Sequence, residues 1–451
     1  MMQDTLPVAV IGAGPVGLAA AAHVIARGER PLIFEAGTSA GASVLAWSHV
    51  RMFSPWRYNV DPASAQLLAA AGWERPPDEA YPTGHDLVER YVAPLARHAS
   101  IAPHVRYDAR VRLVSRLGLD RTKTATRERT PFILRVLEAG RERDIVAKAV
   151  IDASGTWGQP NPLGAHGLPA IGEQDARPHV DYGIPDVLGR HRDRYAGQRV
   201  LIVGSGHSAM NVLLDLARLA EDALETRMQW AVRRPALDGV FGGGDRDQLP
   251  ERGRLGVRLR ELVDAGRLNV VTGFALSSLA ITDRGLIASD GHRALEPVDR
   301  IVGATGFRPD LDLLRELRVD LDTIVESPRA LAPLIDPNVH SCGTVPPHGA
   351  VELQHPERDV YIIGMKSYGR APTFLLRTGY EQARSVAAAI AGDWDSARRG
   401  ELTLPETGVC SVPGDEAGIS SACCGTASTA SAASIASADV VPVSFVRSRP
   451  R

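Results

Sequence analysis

Two glycine-rich turns, each between an apolar strand and a helix and about 190 residues apart, predict an α/β protein of two dinucleotide-binding domains. A buried-type strand and a helix that follow the second unit and complete the first predict that the second domain is inserted into the first. A Ser- and Ala-rich end predicts a disordered C-terminal tail. The expected fold is therefore α/β: two Rossmann-like domains, one inserted into the other, plus that tail.

The first turn runs Val8-Ala9-Val10-Ile11-Gly12-Ala13-Gly14-Pro15-Val16-Gly17. Gly12 permits the tight exit from the strand, Gly14 admits a pyrophosphate close to the backbone, and Gly17 lets the helix pack on the sheet. The helix N-terminus offers N–H groups and a positive dipole end to phosphates. The next strand, Pro31-Leu32-Ile33-Phe34, ends in Glu35, whose carboxylate suits ribose hydroxyls. The second turn, Val200-Leu201-Ile202-Val203-Gly204-Ser205-Gly206-His207-Ser208-Ala209, carries Ala209 as its third small residue. The strand after it ends in Arg233-Arg234 instead of an acid. An acid would repel a 2′-phosphate and an arginine pair would bind it, so this site is expected to take NADPH.

The chain has 451 residues, an apolar fraction of 44% and a net charge of −2. These values suit a globular protein and give no sign of a nucleic-acid or basic membrane surface. The first strand begins near Leu6, so no signal peptide is expected, and no apolar run reaches transmembrane length. The expectation is a cytoplasmic protein without a disulfide framework.

Along the chain, the opening strand–helix–strand covers about 5 to 36. Residues 37–83 carry Trp47, Phe53, Trp56, Tyr58 and Trp73 and are expected to form a long ordered loop over a pocket. A helix is expected from His85 to His98, then a β region from Val105 to Leu137. The polar run Asp120 to Thr130 is expected as a solvated hairpin tip. The strand Ala149–Ala153 ends in Ser154-Gly155-Thr156, and the strand Arg300–Gly303 ends in Ala304-Thr305-Gly306. The strand Val360–Gly364 and a helix from Thr378 to Ile390 complete the first domain. The predicted divisions are 1–177 and 301–405 for the first nucleotide domain, 178–300 for the second, and 406–451 for the tail. Residues 411–451 hold nine Ser and eight Ala among 41 residues, too few large apolar groups for a core.

Residues 7 to about 400 resemble the flavoproteins with two dinucleotide-binding domains, nearest their class B flavin monooxygenase branch. The resemblance rests on the two glycine turns, on Glu35, and on the two strand-ending elements Ala153-Ser154-Gly155-Thr156 and Gly303-Ala304-Thr305-Gly306. The stretch Gly155-Thr156-Trp157-Gly158-Gln159-Pro160-Asn161-Pro162 also follows the family pattern. The resemblance implies FAD at Gly12, Gly14, Gly17 and Glu35, with Thr305, Gly306 and Gly364 near the cofactors. It implies NADPH at Gly204, Gly206, Ser208, Ala209, Arg233 and Arg234.

The chain also departs from the family. Its fingerprint FxGxxxHxxx(Y/F) is met at His179, but Asp175 stands for Gly, Glu173 for Phe, and Tyr182 falls one residue early. The early loop Arg51-Met52-Phe53-Ser54-Pro55 lacks the Asn of some members, with Ser54 as a stand-in. Arg51 and Trp56 are candidates for the flavin border, and Trp47, Phe53 and Trp56 read equally as core. No Cys lies between residues 178 and 300, which excludes a dithiol relay in the second domain.

Of the four cysteines, Cys342 is isolated and Cys410, Cys423 and Cys424 cluster in the tail. Three thiolates suit a soft ion such as trivalent arsenic. With the flavoprotein core, this tail resembles flavin monooxygenases of bacterial arsenic-resistance clusters (ArsO-like). The implied activity uses NADPH and O2, forms a flavin C4a-hydroperoxide, and oxygenates a soft nucleophilic small molecule. An NADPH-dependent reductase or oxidase without oxygen insertion remains open, as does a metalloid-binding or redox-sensing role for the tail. No side chain is singled out as catalytic, and the oligomeric state is not legible.

Overall fold

A computed structural model describes residues 6–401, apart from 238, 248, 339–344 and 373. The tail from 406 and all four cysteines lie outside the described residues. Among the described residues no helix is long and apolar enough to cross a membrane.

Two five-stranded parallel sheets form the frame. The first has the spatial order Val360–Ile362, Ala149–Asp152, Val8–Ile11, Pro31–Phe34, Val105–Arg106. The second has the order Asn269–Val271, Arg227–Ala231, Arg199–Val203, Arg300–Gly303, Val180–Tyr182. The central strands are apolar over Val8–Ile11 and over residues 200–203 because helices and loops cover both faces. The first sheet draws strands from both sides of the second in sequence, so the expected insertion is present.

Register places the functional turns. Ile11 pairs with both Phe34 and Asp152, which sets Gly12, Glu35 and Ala153 level at the carboxyl edge of the first sheet. Val203 pairs with Ala231 and Gly303, which sets Gly204, Val232 and Ala304 level at the carboxyl edge of the second. Ligands of open parallel sheets bind at this edge.

Several expectations need correction. The strand Arg300–Gly303 belongs to the second sheet, so that domain extends past residue 300. The helix expected from His85 to His98 is present from Gly84 to Arg97, and what the sequence did not show is its π-helical turn over Val88–Val92. The β region is a three-stranded antiparallel sheet, Ala109–Arg116, Phe132–Glu138 and Arg141–Ala147. Its third strand is charged and exposed over its first four residues, so it carries no alternating apolar signal. The run Asp120 to Thr130 is the largely exposed tip of a hairpin, as expected, with one exception. Arg127 is buried, and its guanidinium Nε lies 2.9 Å from a carboxylate oxygen of buried Glu357, which also accepts from Arg116 Nε at 2.8 Å.

Candidate functional site

At the first turn, Gly12 takes φ +100°, and a Cβ on it would stand 2.8 Å from the Ala153 carbonyl oxygen. A Cβ on Gly17 would stand 2.0 Å from the Gly12 carbonyl oxygen, whereas nothing lies within 4 Å of the corresponding position on Gly14. Strand, turn and helix are thus locked together, and the one open face is that of Gly14. No side chain caps the helix Pro15–Ala26 at its N-terminus, so its first N–H groups point to that open face. Glu35 accepts from the Ala13 N–H and the Gly37 N–H, each at 2.8 Å. Those bonds hold the carboxylate beside the turn. The set fits an adenine dinucleotide: small residues where a pyrophosphate must approach, free helix N–H groups, and an oriented acid.

Gly364, at the end of the edge strand Val360–Ile362, takes φ +71°, and a Cβ there would be in van der Waals contact with Val16 at 3.4 Å. It therefore sits beside the start of the dinucleotide helix. Its N–H donates to Gln382 Oε1 at 2.7 Å. Below it, Lys366 Nζ donates to Asp152 Oδ2 at 2.6 Å and to Ser154 Oγ at 3.0 Å, with the lysine and aspartate side chains fully buried. The pair ties the first strand-ending element to the segment after Gly364.

The second turn repeats the geometry with one relaxation. Gly204 takes φ +127°, and its Cβ would stand 2.3 Å from the Ala304 carbonyl oxygen, while Gly206 faces open space. Trp230 Nε1 donates to the Gly204 carbonyl at 2.6 Å. Ala209 is fully buried and Ser208 half-buried in the first turn of the helix His207–Asp222, which also lacks a side-chain cap. Arg233 and Arg234 are exposed beyond the neighbouring strand, and Arg233 Nη1 donates to the Ala165 carbonyl at 3.1 Å. This set fits a second dinucleotide, with an exposed arginine pair just past the neighbouring strand.

The two chain crossings between domains are bonded to each other. Thr305 Oγ1 donates to the Asn161 carbonyl at 2.7 Å, Asn161 Nδ2 donates to the Thr305 carbonyl at 3.1 Å, and Asn161 N–H donates to the Gly306 carbonyl at 2.9 Å. Trp157 stacks on Phe307 at 4.8 Å. Thr305 and Gly306 are thus placed at the junction, with the threonine hydroxyl engaged by the other crossing.

Phe53 in the early loop meets His207, the first residue of the second dinucleotide helix, at 5.4 Å between ring centres. Burial and the nearby Arg252 cation push His207 down to about 4, with Asp247 opposing, so its ring is neutral at pH 7. Other early-loop candidates lie elsewhere. Trp56 is core, 1% exposed, and Arg51 is exposed and reaches toward the Tyr81 carbonyl. Ser54 is buried and donates to Asn59 Oδ1 at 2.9 Å, so it serves the loop itself.

His179 precedes the strand Val180–Tyr182 and so stands at the amino edge of the second sheet, opposite its glycine turn. It lines a cavity of about 260 Å³ with Ile281, Asp299 and Arg300, away from both turns. Glu173, which stands for the fingerprint aromatic, is buried and accepts from the Leu163 and Ala170 N–H groups and the Tyr182 hydroxyl. Among the described residues no group of His, Cys, Asp and Glu is arranged to hold a metal. Lys366, Asp152, Gln382 and His348 were not legible as site residues, since each acquires its partner from more than 14 positions away.

The sequence matches the family model of pyridine nucleotide-disulphide oxidoreductases over residues 9–341. The chain belongs to this family. It is 29% identical over 211 residues to indole-3-pyruvate monooxygenase YUCCA1 of Oryza sativa subsp. japonica, covering 46% of this chain and 44% of that protein. The chain thus spans about half the length of the curated relatives it matches first. Bacillithiol disulfide reductase from Bacillus cereus superposes with a TM-score of 0.61 at 19% identity, covering 86% of this oxidoreductase and 99% of that chain. A flavin-containing monooxygenase from Stenotrophomonas maltophilia superposes with a TM-score of 0.54 at 23% identity, over 86% and 99% of the two chains. These structures share the fold.

Proposed function

We propose that this oxidoreductase is an FAD- and NADPH-dependent monooxygenase acting on a soft nucleophilic small molecule. FAD occupies the turn of Gly12, Gly14, Gly17 and Glu35, and NADPH the turn of Gly204, Gly206, Ser208 and Ala209. The observation that carries the reading is the Phe53–His207 contact, which brings the first domain's loop against the start of the second dinucleotide helix. Electron transfer between two nucleotides needs that proximity. When bound, NADPH supplies hydride to FAD, and the reduced flavin reacts with O2 to supply the transferable oxygen.

The chain's own part is binding. Gly14 and Gly206 admit the pyrophosphates, the two helix N-termini face them, and Glu35 holds the ribose. Arg233 and Arg234 select the 2′-phosphate. Phe53 and neutral His207 place an apolar ring and an uncharged imidazole between the domains. The absence of any Cys between 178 and 300 leaves no second-domain thiol pair to accept electrons, which supports a small-molecule acceptor. The similarity to indole-3-pyruvate monooxygenase supports oxygen insertion.

The test measures oxygenated product and H2O2 per NADPH consumed, with a sulfide, an amine and arsenite as probes. Coupled product formation is expected. H2O2 matching all NADPH with every probe would identify an oxidase instead.

The clustering of Cys410, Cys423 and Cys424 favours a trivalent arsenical as substrate or ligand, held by thiolates. Removing residues 409–451 is expected to leave flavin content and NADPH oxidation intact. It should weaken As(III) binding at least roughly tenfold, about 1.4 kcal/mol. An unchanged As(III) titration would remove the arsenical from this reading and leave the monooxygenase standing.

A further inference from the structure

A closed polar network lies directly behind Gly364, and its hydrogen atoms can be assigned without ambiguity. The Gly364 N–H can only donate, so the Gln382 atom 2.7 Å from it is the amide oxygen. The Gln382 NH2 group then faces Ser367 Oγ at 2.9 Å and His348 Nε2 at 2.9 Å. Facing an N–H donor, His348 Nε2 must carry a lone pair. The proton sits on Nδ1, which donates to the Pro346 carbonyl at 3.0 Å. Ser367 Oγ donates to the Gly364 carbonyl at 2.8 Å. His348, Ser367 and Gln382 are all buried.

The Gly364 N–H and the Pro346 carbonyl fix the polarity at Gln382 and His348, while the Ser367 hydroxyl, which also lies 3.3 Å from Gln382 Oε1, can follow either orientation, so the state of one ring decides the orientation of one peptide. A second proton on His348 would set N–H against N–H at Gln382. The amide would have to turn over, presenting NH2 to the Gly364 N–H in place of an acceptor. Gly364 holds φ +71° against Val16 at the head of the first dinucleotide helix, so loss of its anchor is felt where the cofactor phosphates are placed.

We propose that His348 is a positioning residue that orients Gln382, and through it the Gly364 backbone, so that proton uptake on His348 loosens FAD. The proposal rests on FAD occupying the first turn. Burial holds His348 below the usual histidine value. The charged groups facing it are Glu352 on its own segment and Glu381 on the helix Leu376–Ile390, both of which favour the protonated ring. Glu381 is itself paired with Arg384 at 2.6 Å, and the ring of Tyr368 lies 5.7 Å away. Protonation is therefore opposed by burial and partly restored by two carboxylates, which puts the transition on the acid side of neutrality.

The test follows FAD release from the holoprotein by recovery of flavin fluorescence across about pH 8 to 5. Release from the unaltered protein should accelerate at least about tenfold at the acid end. In His348→Gln, whose amide can accept from Gln382 and does not titrate, that acceleration should vanish while release near pH 8 stays within about threefold of the unaltered rate. Equal acid acceleration in both proteins would overturn the proposal. Should His348→Gln fail to fold, nitrogen chemical shifts of the unaltered holoprotein decide: a proton on Nδ1 alone near pH 8 is required, and a proton on Nε2 overturns it. Failure of the FAD assignment itself is recognised separately, by a protein purified without flavin.

Discussion

The two dinucleotide turns share a motif but not an environment. In the first, the helix Pro15–Ala26 has nine of its twelve residues buried, and the last long helix, Leu376–Ile390, packs against it from the far side of the sheet order. In the second, eight of the sixteen residues of His207–Asp222 are buried, along one face only. The first turn allows no Cβ at Gly17, while the second accommodates one at Ala209. The first is backed by Glu35, Gly364 and the Lys366–Asp152 pair, and the second opens toward exposed Arg233 and Arg234. Close packing on all sides suits a cofactor that stays bound. A half-exposed helix with exposed cations beyond the neighbouring strand suits one that exchanges every turnover.

That contrast can be broken most sharply at Gly17. Gly17→Ala places a methyl 2.0 Å from a backbone oxygen that cannot retreat without moving the strand end. The expected result is a largely flavin-free protein, read as absorbance at the flavin band after purification. Full flavin content would show that the first turn is as tolerant as the second.

Acid sharpens the comparison next. His207 at the second turn and His355 near Asp320 are both pushed down to about 4, chiefly by burial. In the unfolded chain each takes a proton near the usual 6.5, whereas in the fold neither does until about 4. Stability is therefore complete above 6.5 and is lost as pH falls toward 4, by at most about 3 kcal/mol for each ring. Asp215 opposes this. Burial raises it to about 6, so it gains a proton in the fold before it would unfolded, adding stability below that pH. Denaturant titrations from pH 7 to 4 should show a net fall that His207→Asn reduces. An unchanged slope in that variant would mean that His207 is readily protonated in the folded protein.

The arginine pair comes third. Arg233→Ala with Arg234→Ala removes charge-assisted bonds worth about 1.5–3 kcal/mol each when formed, with the lower figure appropriate to exposed groups. NADPH should bind at least about tenfold more weakly while NADH binding holds, measured by KM for each nucleotide. Equal use of both nucleotides by the unaltered protein would show that the pair does not read the 2′-phosphate. The smallest effect belongs to Ala209→Gly, which costs a helix preference of about 0.5–1 kcal/mol and a buried methyl worth about 0.8 kcal/mol and should leave both cofactors bound, checked by thermal unfolding and flavin content.

Much of the frame was legible because its signals are local. Apolar runs such as Val8–Ile11 and Val200–Val203, the glycines after them and the acid or arginines one strand later are read within about 35 residues of each other. The insertion of one domain into the other was legible for the same reason, since strand types recur in order. The charged strand Arg141–Ala147 escaped because its exposed face has no period to detect, and the burial of Arg127 within the exposed run Asp120 to Thr130 escaped because polar composition does not reveal that Glu357 will neutralise it.

What the sequence determined by itself is the pair of dinucleotide turns and the sign of the charge that follows each, because glycine's freedom at φ > 0 and a terminal acid or base act over one strand–turn–helix unit. Only the tertiary structure decided which side chains stand behind those turns. Lys366 finds Asp152 because register aligns distant strand ends at one edge, and Phe53 finds His207 and His348 reaches Gly364 through Gln382 by contacts between segments far apart in sequence. The same register moved His179 out of the site, since a residue before a parallel strand and a residue after its neighbour lie at opposite ends of the sheet.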